Sequence, residues 1–166
     1  GPVGVTLGAV TVSGGTSLTN NNTATVTMAS LNMAQGLDIL TLATGTTTNV
    51  TGATTFSTAD PGWFLSFTMN GTANFTTGSL DMSTAPTTTG NNYIVCGGAA
   101  SGTFTVTGTA SITGNSTTTG YNKIDLSSGS CNLSIGGLLT ITGGTNATGV
   151  ALVKMGSGSL TLGGGV

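Results

Sequence analysis

The sequence predicts an all-β chain folded as a β-solenoid, a parallel β-helix of about five coils of 25–30 residues. Three observations carry this reading. First, apolar and polar residues alternate with a period of two in short segments such as Leu37-Asp38-Ile39-Leu40-Thr41-Leu42 and Thr103-Phe104-Thr105-Val106-Thr107. That alternation marks a strand with one buried face. Second, two separate markers recur at nearly one interval along the chain. Third, Thr accounts for 37 of the 166 residues, and its branched Cβ suits the pleated surface of a sheet.

Residues 1–36 read as irregular N-terminal strands and a candidate assembly segment. Val10-Thr11-Val12-Ser13-Gly14 looks like the later repeats but lies well over one repeat length before its counterpart at Val50. A further strand, Ala24-Thr25-Val26-Thr27-Met28, follows the polar turn Asn20-Asn21-Asn22. The first repeat is therefore expected to be longer than the rest or differently folded. The stretch Ala29 to Gln35 comes nearest to a helical period and is too short for a helix.

Residues 37–166 read as the repeat array. A Gly followed closely by an apolar or aromatic residue opens a segment at Gly36, Gly62, Gly90, Gly120 and Gly149, at intervals of 26, 28, 30 and 29. A mid-repeat marker, an apolar residue followed within a few positions by Gly, begins at Val50, Phe75, Phe104, Leu133 and Leu160, at intervals of 25, 29, 29 and 27. Such a repeat fits a coil of about three short strands stacked on its neighbours at roughly 4.8 Å. Gly and Asn are placed at the corners because both tolerate positive φ. An antiparallel β-sandwich completed by strand donation is the rival architecture, because regularly spaced strands and turns also fit it.

The segment Ser101-Gly102-Thr103-Phe104-Thr105-Val106-Thr107-Gly108-Thr109 resembles the strand repeats of secreted bacterial β-solenoid surface proteins, the autotransporter passengers and filamentous adhesins. The resemblance extends over most of residues 37–166. It implies export and service as a stalk, adhesin or fibre, and it carries no catalytic motif.

Composition excludes several function classes. The chain holds two Lys, four Asp and no Arg, Glu or His, and charged residues make up 4% of it. Nucleic-acid binding has no basic patch to rest on. Acid–base or metal chemistry that needs His has no His. Asp38, Asp60, Asp81 and Asp125 are scattered, Asp60-Pro61-Gly62 reads as a turn, and Asp38 and Asp125 are expected at outward strand positions. No enzyme activity, cofactor or metal is expected. A mean hydropathy of +0.33 argues against disorder, and the chain has no apolar run long enough to span a membrane.

Other residues are candidates for structure or assembly. Cys96 and Cys131 are the only cysteines. They are a candidate disulfide or two small buried hydrophobes. Aligning Phe104 with Leu133 would set Cys96 opposite Asp125, so a bond would cross the coil or join two subunits. Asn21, Asn49, Asn70, Asn74, Asn115, Asn132 and Asn146 begin Asn-x-Ser/Thr sequons and are candidate glycan acceptors. Asn49, Asn74 and Asn132 also suggest a ladder position, because each precedes the mid-repeat apolar residue. Trp63, Phe64, Phe67, Phe75, Tyr93 and Tyr121 allow a carbohydrate-stacking or conducting row, against Phe in the core and Tyr at corners. Thr-x-Thr pairs at Thr25/Thr27, Thr103/Thr105/Thr107 and Thr140/Thr142 allow an ice-binding or adhesive face, but at a constant coil length they fall out of register. Neither terminal strand region carries charge, and neither has a helical cap. Val3, Val5, Leu7, Val10 and Val12, with Leu160, Leu162 and Val166, are the candidate assembly residues. The expected function is a structural subunit of an extracellular or cell-surface filament, with copies of itself as partner. The alternative is a surface-binding module, an adhesin stalk or ice-binding solenoid that meets glycans or other surfaces.

Overall fold

The computed structural model describes residues 1, 3–34, 37–57, 64–83, 90–114, 120–144 and 149–166. Among the described residues, fifteen strands run in order. They are β1 (Val5–Val12), β2 (Ser17–Asn20), β3 (Val26–Met33), β4 (Asp38–Leu42) and β5 (Thr47–Phe56). Then come β6 (Phe64–Met69), β7 (Asn74–Met82), β8 (Asn91–Cys96), β9 (Thr103–Val106) and β10 (Ala110–Thr113). The chain closes with β11 (Asn122–Leu126), β12 (Asn132–Ile135), β13 (Leu139–Thr142), β14 (Ala151–Met155) and β15 (Leu160–Leu162). No helix occurs among the described residues, and none is therefore long and apolar enough to cross a membrane.

The strands form two sheets. One follows the order β1-β3-β5-β7-β9-β12-β15, with β10 and β13 attached beside it, and the other follows β14-β11-β8-β6-β4-β2. Every strand pair is parallel, so the chain is a β-solenoid and the antiparallel sandwich is ruled out. Each coil contributes a strand to the second sheet between two successive strands of the first.

The coils are not of one length. The shortest steps lie at the N-terminal end, from Val5 to Val26 and from Val26 to Thr48. The step lengthens from Thr48 to Phe75 and is longest from Phe75 to Phe104 and from Phe104 to Leu133. It shortens slightly again from Leu133 to Leu160. The uniform coil length that the two markers suggest therefore gives way, at the N-terminal end, to shorter coils. Two such coils separate Val50 from its true counterpart Leu7, through Met28, whereas Val10 stacks past the corner on Leu31 and Thr54, and residues 5–33 belong to the same two sheets as the rest.

The first sheet serves two faces. The first part of β7 pairs with β9 and the last part with β10. The register slips between Met28 and Leu31 and again between Val50 and Ala53. The inward series breaks at the same place: Val26 and Met28 are buried, then Leu31 and Met33. A column of glycines stands at this corner. A Cβ on Gly52 would lie 2.6 Å from the Ala29 carbonyl oxygen, one on Gly78 2.7 Å from that of Gly52, and one on Gly108 2.6 Å from that of Gly78. Each coil thus has three strand segments: a first face ahead of the glycine corner, a second face after it, and the second sheet as a third face.

The core is one continuous column of inward side chains from Val12 to Leu139. Phe67, Phe75 and Phe104 are fully buried and pack as an aromatic cluster with centroids 4.7 to 5.6 Å apart. Burying such side chains stabilises the fold by roughly 1.5–3 kcal/mol each. Several inward polar residues hydrogen-bond between coils, although Asn92 Oδ1 finds no partner among the described residues. Thr54 Oγ1 donates to Thr77 Oγ1 at 2.9 Å. Asn92 Nδ2 donates to Asn122 Oδ1, and Asn122 Nδ2 to the Met82 and Thr113 carbonyls, all at 2.7 Å.

Candidate functional site

Two regions stand out, the ends of the column and its outward rows. Among the described residues, the last strand of each face has a neighbour on one side only, so within this chain β1 and β15 each present one edge of backbone N–H and C=O groups. Large exposed apolar side chains gather there. Among the described residues they are Val3, Val5 and Leu7 at one end and Leu138, Ile141, Val150, Leu152, Leu160 and Val166 at the other. Val5 and Leu160 close the same inward row, through Val26, Thr48, Phe75, Phe104 and Leu133. A cavity of about 180 Å³ opens at the N-terminal end between β1 and β2, lined by Val5, Leu7, Leu18, Val26, Met28 and Leu40 among others. Of the other residues predicted for assembly, Val10 and Leu162 are half-buried and Val12 is buried at 4% exposure. Val12 packs inward in the core and offers no surface.

The outward rows differ in chemistry from face to face. On the first face one row runs Thr6, Thr27, Asn49, Thr76, Thr105, Ser134, Thr161, in unbroken register. Beside it, two positions earlier on each strand, Thr47 pairs with Asn74 and Thr103 with Asn132. Asn74 Oδ1 accepts the Thr103 N–H at 3.0 Å, and Asn132 Oδ1 accepts the Ser159 N–H at 2.9 Å. The hydroxyl rows are therefore aligned on this face, contrary to the constant-period reading. Unequal coil lengths hide a register that strand pairing restores. Thr140 lies elsewhere, on the second face beside Ser111.

The second face carries Asp81, which pairs with Thr55 and Ser111. Among the described residues, the third face carries the outward aromatic rings and most of the charged side chains. Phe64 and Tyr93 stack with centroids 5.5 Å apart, Tyr121 follows at 6.2 Å, and the Lys123 ammonium sits 4.9 Å from the Tyr121 ring centre. Burial, with the neighbouring Tyr121 phenol, pushes the Tyr93 hydroxyl above its ordinary pKa. The rings stack on one another along the axis, a packing ladder at the coil step rather than one broad platform for a sugar. Lys123 Nζ lies 3.4 Å from Asp125 Oδ2. Burial alone would raise the Asp125 carboxyl, but hydrogen bonds from the Ser127 hydroxyl and N–H, with Lys123, hold it below its usual range.

Asp125 faces outward as expected, but Asp38 does not. Asp38 is fully buried at the start of β4. The Gly15 and Thr16 N–H groups donate to its Oδ1 at 2.9 and 3.1 Å, and Oδ2 has no hydrogen-bond partner among the described residues. It holds the turn between β1 and β2, a role that the alternation Leu37-Asp38-Ile39 does not disclose. Cys96 and Cys131 form a disulfide inside the chain, both nearly fully buried. Val95, not Cys96, stands opposite Asp125. The bond joins the end of β8 to the residue before β12, tying one coil to the next at a corner.

Among the sequons, Asn21 and Asn74 are exposed and Asn49, Asn70 and Asn132 half-buried. Asn74 and Asn132 share the ladder position, and Asn49 stands one row over. Asn115, Asn146, Asp60 and Trp63 lie outside the described residues. Among the described residues, no group of three His, Cys, Asp or Glu side chains converges to hold a metal ion. No family model, no curated protein and no solved structure matches the chain.

Proposed function

We propose that this chain is a structural subunit of an extracellular filament, joined head to tail by strand pairing between its open ends. The observation that carries the reading is that, among the described residues, large exposed apolar side chains are confined to the terminal strands and the turns beside them. Of these, Val5, Leu7, Ile141 and Leu160 end inward rows that the next coil covers elsewhere, whereas Leu152 stands outward beside Lys123. A second copy set against β15 would place Val5 over Leu160 and Thr6 over Thr161, continuing both rows. Such a contact is heterologous, does not close on itself and generates an open fibre. The cavity between β1 and β2 gives an apolar side chain of the preceding copy a place to enter. The Cys96–Cys131 disulfide supports an exported protein, because disulfides persist in oxidising compartments.

The test is sedimentation of the purified chain over a concentration series beside negative-stain electron microscopy. Fibres that lengthen with concentration are expected, and Leu160→Lys is expected to stop them while circular dichroism stays that of the wild type. A wild-type chain that remains monomeric at every concentration overturns the proposal.

A further inference from the structure

The outward rows of the first face combine three features: the second face shares the lack of rings but carries Asp81, and outward hydroxyls elsewhere, such as Thr55 and Thr68, are free as well. The first-face rows carry no charge: among the described residues Asp38 is buried, Asp81 sits on the second face, and Lys123, Asp125 and Lys154 lie on the third. They carry no aromatic ring, since Phe64, Tyr93 and Tyr121 are all on the third face. Their hydroxyls are also uncommitted. Among the described residues, the side chains of Thr27, Thr76, Thr105 and Ser134 make no hydrogen bond to protein, whereas Thr107 and Ser127 beyond this face are tied to backbone or carboxylate oxygens.

From this we infer that the first face binds ice, as a regular array of neutral hydroxyl, methyl and amide groups that meets a crystalline water lattice. Along the axis the groups repeat at the strand spacing of about 4.8 Å, and across a strand the two rows stand roughly 7 Å apart. A charged side chain would hold its own hydration shell and break such a lattice; none is present among the described residues of these rows. Thr is β-branched and restricted at χ1, and Asn74 and Asn132 are fixed by accepting backbone N–H groups of the next coil. The array is thus held in place before it meets its partner, and little side-chain freedom is lost on binding. A crystalline polysaccharide is the less suitable occupant, because sugar rings are held by stacking on aromatic side chains and the face has none. The face is complete in a single copy, so the inference stands apart from the filament reading.

The experiment is adsorption of the fluorescently labelled chain to a growing single ice crystal, with thermal hysteresis read on the same samples. The wild type is expected to coat and shape the crystal and to open a hysteresis gap. Thr105→Lys is expected to shrink that gap several-fold, and Thr68→Lys, outward on the third face, to leave it unchanged. If Thr105→Lys fails to fold by circular dichroism, Thr27→Lys at the same row takes its place. A wild type that neither coats nor shapes ice overturns the inference. So does a row variant with an undiminished gap, or capture of the wild type by crystalline cellulose or chitin in the absence of ice adsorption.

Discussion

Glycines at the corner decide how closely two coils approach. The sequence suggests that Gly stands at corners for its positive φ. That holds at turns such as Gly45 and Gly71, but Gly52, Gly78 and Gly108 do not adopt it. Their requirement is space, since the carbonyl of the coil below sits where a Cβ would go. Gly108→Ala should therefore destabilise the fold by roughly 1–3 kcal/mol through overpacking, whereas Gly98→Ala, with nothing within 4 Å of its Cβ, should change stability by well under about 1 kcal/mol. Chemical denaturation of the two variants checks the contrast. Asp125 gives a second residue-scale expectation. Its folded pKa is depressed, so its contribution is present above the unfolded carboxyl value near about 4 and fades as pH falls through the lower folded value. The group is near the surface, so the effect is small, below about 1 kcal/mol. Asp125→Asn should melt slightly below the wild type at neutral pH and alongside it in strong acid.

At the scale of strands and coils, alternation located most of the elements, because outward Thr and inward Leu, Ile, Val and Phe are read directly from a period of two. What alternation could not locate was register. Thr105 pairs with Ser134 across a long coil, but Thr6 pairs with Thr27 across a much shorter one, and no fixed interval aligns both pairs. Inward polar residues were also invisible. Asn92 and Asn122 read as outward by residue type, yet both are fully buried, where Asn122 supplies carbonyls left unpaired as the chain leaves β7 and β10. The disulfide was legible as two cysteines but not as a pairing, since it runs diagonally between coils. It closes a loop with a sequence separation of 35, and in the chain-entropy account a loop of that size contributes about 3–4 kcal/mol. Replacing both cysteines by Ala should lower the unfolding free energy by about that amount. Because both sulfurs are buried, reductant should shift the wild-type denaturation midpoint toward that of the variant only after prolonged incubation near the transition, and should leave the variant's midpoint where it is.

On the scale of the whole molecule, the solenoid is one-dimensional, with each coil supported by the one before and the one after. Central coils have two neighbours, and those near Cys96 and Cys131 are also stapled. The terminal strands β1, β14 and β15 have one neighbour each, and their side chains remain largely exposed. Local opening is expected to follow this gradient, since segments with few buried contacts open at a fraction of the global free energy. Backbone amides of β8 and β11 should exchange slowest, and those of β1, β14 and β15 fastest, in dilute unassembled protein. Assembly should reverse the order at the ends alone. Once β15 of one copy pairs with β1 of the next, the unpaired edge amides acquire carbonyl partners and their exchange should slow to that of interior strands, while β8 and β11 keep their rates. Hydrogen exchange read by mass spectrometry, below and above the concentration at which fibres appear, resolves this. Protection gained at β1 and β15 together is the expected outcome. Fibres whose terminal strands exchange as quickly as in the monomer would mean that copies meet along an outward face, and the head-to-tail geometry would be wrong.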